Sequence, residues 1–411
     1  MSPLVEPNSK LPPSRRLVLL VHFGFVLTGI ATTLLGPLLP TLAAQWNLRD
    51  VRSGDFFLAE FLGSLISVIV CGRLLRLRGF RFCFTVAFAF MALGLATLGR
   101  GPWSLGLLSV FVYGCGIGFS VGATNLWTGE SNPSRRASAL SLVNFSWAAG
   151  AVTSPSIVTL GDRIHHVWLV VLALAVTAGL LTLAFSASRF EAEPTIGREH
   201  LRLTPALRIS RILSNQTAIL FGLLFFLYVG TENSISGWVA TYARRIQSPQ
   251  NDLWALMPSF FWAGLLFGRI FLPVVLRRIP DLKLLRGSLI LAIGGCVLLL
   301  YAAKLAVVAA ACALCGAGLA GVFPIAMSYL SAYCGTENRE FAGIVLAFGG
   351  LGGGVIPWLV GVVSSSLGSL RDGLLVPLIG AVSMIVISAL QTSILSAPLG
   401  KTYDAAKPEW D

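Results

Sequence analysis

Charge is what this chain has least of. Only 12% of its 411 residues are Asp, Glu, Lys or Arg, about half the share of an ordinary soluble domain. Acids are scarcer still, 18 against 30 basic residues, and there are four histidines. No His-x-x-x-His helix and no Ser-His-Asp order occurs, and His165-His166 is an isolated pair. Neither a hydrolase nor a metal enzyme is expected, and no cofactor or metal. The seven cysteines (71, 83, 115, 296, 312, 315 and 334) all fall within or at the ends of apolar blocks. Cys312-Ala-Leu-Cys315 has redox spacing but no strand–helix context, so small packing residues are expected there. Long polar stretches are missing as well. The one long break is about 189–215, and the lack of a soluble output domain argues against a transport-inactive sensor.

What is present is hydrocarbon. Mean hydropathy is +0.80. Twelve apolar blocks can be marked, about 17–44, 53–75, 80–99, 103–128, 137–160, 167–188, 216–243, 253–276, 284–303, 305–333, 341–365 and 373–396. About 20 residues of helix cross a hydrocarbon core of about 30 Å, so each block is read as a membrane span and the lipid bilayer as a partner. The first block follows Arg15-Arg16 but is longer than a signal core, so it is read as retained.

The net charge of +12 could suggest nucleic acid, but its distribution argues otherwise. With the N-terminus in the cytoplasm, 22 of the 30 Lys/Arg fall on the cytoplasmic side and eight on the other. That is the positive-inside bias of a membrane protein. It implies an even number of spans, both termini in the cytoplasm, and no nucleic-acid partner. A bacterial cytoplasmic (inner) membrane is the expected location.

The blocks fall into two sets of six: a bundle in 1–188, a cytoplasmic linker at 189–215, and a bundle with a short tail in 216–411. The sets echo each other. Gly72-Arg73 recurs as Gly268-Arg269, Gly114-Cys-Gly-Ile-Gly118 as Gly316-Ala-Gly-Leu-Ala320, and Gly150…Pro155 as Gly352…Pro357, at offsets of 196, 202 and 202. Parallel repeats about an axis along the membrane normal are inferred. Runs such as Gly349-Gly-Leu-Gly-Gly-Gly354 give flat faces for close helix packing. They lack the preceding strand that a nucleotide site needs.

At this point the chain resembles the major facilitator superfamily. Gly36-Pro-Leu-Leu-Pro40 closes span one, and Gly72-Arg-Leu-Leu-Arg76-Leu-Arg78-Gly79-Phe-Arg81 matches the glycines and basic residues of the loop between spans two and three. Arg76 stands where that loop carries an acid. The resemblance implies an all-α integral membrane protein with twelve transmembrane helices in two pseudo-symmetric six-helix bundles. A narrower likeness is to the fucose-permease-like branch of sugar:proton symporters and sodium-dependent glucose carriers. It rests on Tyr228-Val-Gly-Thr-Glu232, Gly237-Trp238 and Tyr242, and on Gly268-Arg269 followed by Arg277-Arg278 and a proline. The acids this branch carries in spans one and four align with Gly36 and Val121, which cannot carry a proton.

Glu232 is the leading functional candidate. A lone charge at membrane depth costs about 2.5–3.5 kcal/mol even on the lenient scale, so it must face a partner or a wet cavity. It could bind solute or cycle a proton, or be locked to an Asn, Tyr or Arg. Asn233 faces away from it on a helix, so one of the two is expected to line the cavity. Asn144 and Trp147 share a face, three residues apart. Tyr228, Trp262 and Trp238 complete the substrate-binding set. Asp55 is read as a helix cap, Glu60 as lying about 10 Å into span two near a vestibule, and His22 as a group titrating near neutrality. Glu60 and His22 join Glu232 as coupling candidates. The gating set is Arg73, Arg76 and Arg78; Glu130, Arg135 and Arg136; Arg269; and Glu337, Arg339 and Glu340.

The chain is therefore read as a secondary or facilitative transporter of a small polar solute, sugar-like, working by alternating access, with a proton or sodium as coupling ion and as a monomer. The competing readings are an exporter of amphipathic, drug-like compounds and the sensor. An enzyme is not expected.

Overall fold

The computed structural model describes residues 14–190, 216–246, 252–334 and 339–395, with side chains except at 137, 252, 334–344 and 391–395. Among these residues every regular element is helical. The first set comprises α1 (Arg15–Gln45), α2 (Asp50–Thr97), α3 (Trp103–Ser131), α4 (Arg136–Arg163) and α5 (Val167–Ala187). The second comprises α6 (Gln216–Ile246), α7 (Met257–Leu276), α8 (Asp281–Leu300), α9 (Leu305–Leu319), α10 (Val322–Cys334), α11 (Arg339–Leu367) and α12 (Leu375–Leu395). The linker expected at 189–215 lies almost wholly outside the described residues.

Among the described residues ten stretches are long and apolar enough to cross a membrane, with α9 and α10 counting as one. The 48 residues of α2 are one stretch only formally. Gly79 has φ 75° and ψ 177° and divides the helix into limbs 50–78 and 80–97. A residue with a Cβ resists that conformation, so the glycine of the basic loop makes the bend. The 28-residue α4 is long enough to cross but carries Ser, Thr, Asn and Pro155, and falls short on apolarity. Split α2 and add α4, and twelve crossings result.

The repeats pack alike. α4 lies on α1 and α11 on α6; α3 lies on α2 and α9 on α7. Glycines sit at these crossings. A Cβ at Gly150 would fall on the carbonyl of Val26, and at Gly352 on that of Phe226. A Cβ at Gly114 would strike the Glu60 carbonyl, and at Gly316 the Phe261 carbonyl. Lipid gives helices no hydrophobic reason to associate, so backbone proximity at small residues does that work. Large apolar side chains such as Ile69, Leu183, Phe267, Ile290 and Ile379 are exposed on the outside, as a hydrocarbon-facing shell requires. The six cysteines with described side chains are buried and free.

Candidate functional site

The two halves meet along α1 against α6, α2 against α11 and α4 against α7. Their hydrogen bonds gather at the end where α2 begins, here the Asp50 end. The Arg245 guanidinium, on the last turn of α6, grips the Asp50 carboxylate with both terminal nitrogens, one bond being 2.8 Å. Ser364 of α11 donates to the same carboxylate. The Val51 amide donates to Ser365 Oγ at 2.9 Å, and Trp358 Nε1 donates to Asp55 at 3.1 Å. Helix α2 starts at Asp50, so Asp55 is in its second turn and bonds across to α11 rather than capping the helix. A bidentate Arg–carboxylate pair fixes geometry as well as charge. Nothing in composition flags Asp50 and Arg245, which are 195 residues apart.

Beneath this latch lies a narrow cavity between the halves. Thr32, Thr33 and Gly36 of α1, Glu60 of α2, Asn233 and Ser236 of α6, and Trp262 of α7 are among the residues lining it. Its volume is about 10 Å³, room for about one water. Two polar atoms here lack hydrogen-bond partners among the described residues, Glu60 Oε1 and Trp262 Nε1. Native interiors rarely leave such groups unmatched, and a ligand or water is the usual partner.

Glu60 is 3% exposed and lies about 15 Å into α2 by helical rise, deeper than the vestibule position expected. The hydroxyl of Tyr113, on α3, is turned toward this carboxyl and makes no other hydrogen bond among the described residues. Sequence reasoning misses Tyr113, which sits in a glycine-rich span with no polar pattern around it.

Glu232 is buried in α6 and is not among the residues lining this cavity. Tyr228, one turn earlier, donates to Glu232 Oε2. Arg269 Nη2 donates to the Tyr228 hydroxyl at 3.2 Å, so a guanidinium, a phenol and a carboxylate form a relay between α6 and α7. The sequence groups Arg269 with the cytoplasmic gate, at the end of span eight. It sits instead two turns inside α7, facing the bundle. The alternation read from the sequence resolves here: Asn233 lines the cavity and Glu232 does not.

The other named residues are placed as follows. Trp147 meets Trp262 edge to face, ring centres 5.6 Å apart, so its face of α4 points at the other half. Asn144, on that face, donates to the Leu140 carbonyl at 2.7 Å and lies 3.4 Å from Asn125 of α3. Trp238 is fully buried, with Nε1 bonded to the Pro357 carbonyl at 2.8 Å and its ring beside Phe57. It is a packing residue between α6, α11 and α2, outside the cavity lining. His22 Nδ1 is 2.7 Å from Ser146 Oγ, joining α1 to α4. Arg73, Arg76 and Arg78 are exposed around the α2 bend, as are Arg135 and Arg136 at the start of α4, near half-buried Glu130. Glu337 lies outside the described residues. Arg339 and Glu340 begin α11, with side chains outside the description.

Comparison with known proteins agrees with this architecture. The family model described as Major Facilitator Superfamily matches residues 21–357. "Bypass of stop codon protein 6" of Saccharomyces cerevisiae is 22% identical over 379 residues, covering 84% of this chain and 76% of that protein. The glucose/mannose transporter GlcP of Bacillus subtilis is 29% identical over 136 residues, a 33% share of each chain. Among solved structures, a single-residue variant of the E. coli fucose:proton symporter FucP superposes with a TM-score of 0.63 at 18% identity, over 92% of this chain and 98% of that one. The matched length, the twelve crossings and the paired packing of the halves together place this chain in the Major Facilitator Superfamily.

Proposed function

We propose that the chain carries a small, sugar-like solute across a membrane by alternating access, holding it between the halves against Asn233, Ser236, Thr32, Thr33 and Trp262. The observation that carries this reading is the inter-half cavity with two unmatched buried polar atoms, Glu60 Oε1 and Trp262 Nε1. A hydroxylated solute supplies donors for the carboxyl and acceptors for the indole N–H. Aromatic faces at Phe57, Phe61 and Trp262 suit the C–H side of a sugar ring. The similarity to the glucose/mannose transporter points the same way.

The positive-inside bias puts the Asp50 end outside the cell, in a bacterial inner membrane with both termini in the cytoplasm. The latch then makes this an externally closed conformation. A cavity with room for one water admits solute only when the halves move, which is what alternating access requires. The carrier works as a monomer.

The test is counterflow in proteoliposomes with a panel of labelled probes: D-glucose, D-mannose, L-fucose, a polyol, a nucleoside and a lipophilic cation. Exchange of a sugar or polyol supports the reading. Exchange of the lipophilic cation alone would replace it with a drug-like exporter.

A further inference from the structure

Glu60 and Glu232 both lie inside this bundle, and they differ in one respect. Glu232 has a counter-charge, relayed from Arg269 through Tyr228. Glu60 has none among the described residues. Its neighbours around the cavity are neutral: Thr32 and Thr33 on α1, Asn233 and Ser236 on α6, Trp262 on α7. From α3 it faces the Tyr113 hydroxyl, the one titratable group among the described residues turned towards it. Arg269, the inward-facing cation of α7, is committed to the Glu232 side of α6. A lone ionised carboxylate in such a place costs several kcal/mol, and groups so placed are commonly held as the neutral acid.

Resting on the carrier reading above, we propose that Glu60 is the residue through which this protein couples solute movement to a proton, with Tyr113 as its positioning partner and Glu232 as a structural anchor. Glu60 Oε1 takes one proton from water when the cavity opens to one side and returns it to water when the cavity opens to the other. One O–H bond forms and later breaks, and no other bond changes. The neutral acid lets the halves close over solute without trapping a bare charge. The ionised form favours a cavity open to water. The carboxyl borders the solute space, so occupancy and protonation bear on one another directly. Tyr113, fully buried against α2, gives the carboxyl a hydroxyl that can donate to the ionised form or accept from the neutral one. That adaptability suits a group that changes protonation state.

The first test needs no solute. Infrared difference spectra of the full chain in liposomes are recorded across a pH series. A protonated-carboxyl C=O stretch that titrates in the wild type and in Glu232→Gln, and is missing in Glu60→Gln, is expected. Its persistence in Glu60→Gln overturns the proposal. Tyr113→Phe removes one hydroxyl only, and it must shift the same band; an unmoved band also overturns the assignment. In a second arm, Glu60→Gln, which also loses a solute contact and so raises half-saturation in counterflow, is assayed at saturating concentration of whichever panel sugar the wild type exchanges, and its accumulation under an imposed pH gradient falls to a concentration ratio near one. Undiminished accumulation in Glu60→Gln overturns the proposal. If the wild type exchanges no sugar, the sugar reading fails and the infrared arm still decides the proton site.

Discussion

Removing the charge from Asp50 should open the latched end. In Asp50→Asn the Arg245 guanidinium loses its anionic partner, while the Ser364 contact keeps a polar acceptor. Hydrogen bonds to charged groups contribute about 1.5–3 kcal/mol, and a fully exposed pair about 0–1. Here the Asp50 side chain is 10% exposed and that of Arg245 46%, so an intermediate value of about 2 kcal/mol is reasonable. That energy stabilises only the conformation in which α2 and α6 touch. Its loss shifts the closed-to-open ratio about 30-fold, turning about 100:1 into about 3:1. Spin labels at Ala44 and Leu367, exposed positions on opposite halves at this end, read the change as a new long-distance population in pulsed EPR. The charge-swapped pair Asp50→Arg with Arg245→Asp should return the short distance. A distance distribution in Asp50→Asn identical to the wild type would refute the latch.

Other perturbations separate packing from function. Gly352→Ala places a methyl on the Phe226 carbonyl and should destabilise the detergent-solubilised protein by about 1–3 kcal/mol. Gly287→Ala, with open space around it, should leave thermal melting unchanged or slightly raised. Arg269→Ala strands Glu232 and Tyr228 and should cost about 3–5 kcal/mol, seen as a large drop in melting temperature. The double variant Arg269→Gln with Glu232→Gln removes both charges and should recover most of that loss.

Spans and repeats are legible because hydrocarbon crossing imposes length and apolarity, and close packing imposes glycine at matching offsets. Gly79 is visible as part of a basic loop, and its positive φ explains why the loop bends there. The limits are physical too. Helix α4 buries Ser154 and Gly150 against α1, so a hydropathy window undervalues it. Asn233 and Glu232 adjoin in sequence, and a helix turns them to different surroundings; only the packing of α6 decides which side is the cavity. The latch is invisible in the sequence because Asp50 and Arg245 look like ordinary helix-end charges until the halves are docked. Arg269 follows Gly268 in a span-ending motif, yet its long side chain turns inward to a counter-charge one helix away. Trp238 resembles an interface anchor or a stacking surface, and the bond to the Pro357 carbonyl commits it to neither.

The central claim is that solute is held in the inter-half cavity by its unmatched polar atoms. Trp262→Phe keeps a ring and deletes one N–H, so it isolates that claim. In counterflow with the best-exchanged probe, half-saturation should rise about 2- to 12-fold, the equivalent of about 0.5–1.5 kcal/mol for one hydrogen bond, with the maximal rate retained. Asn233→Ala should do the same, while Trp238→Phe should lower stability without moving half-saturation. Unchanged half-saturation in both Trp262→Phe and Asn233→Ala would contradict the account.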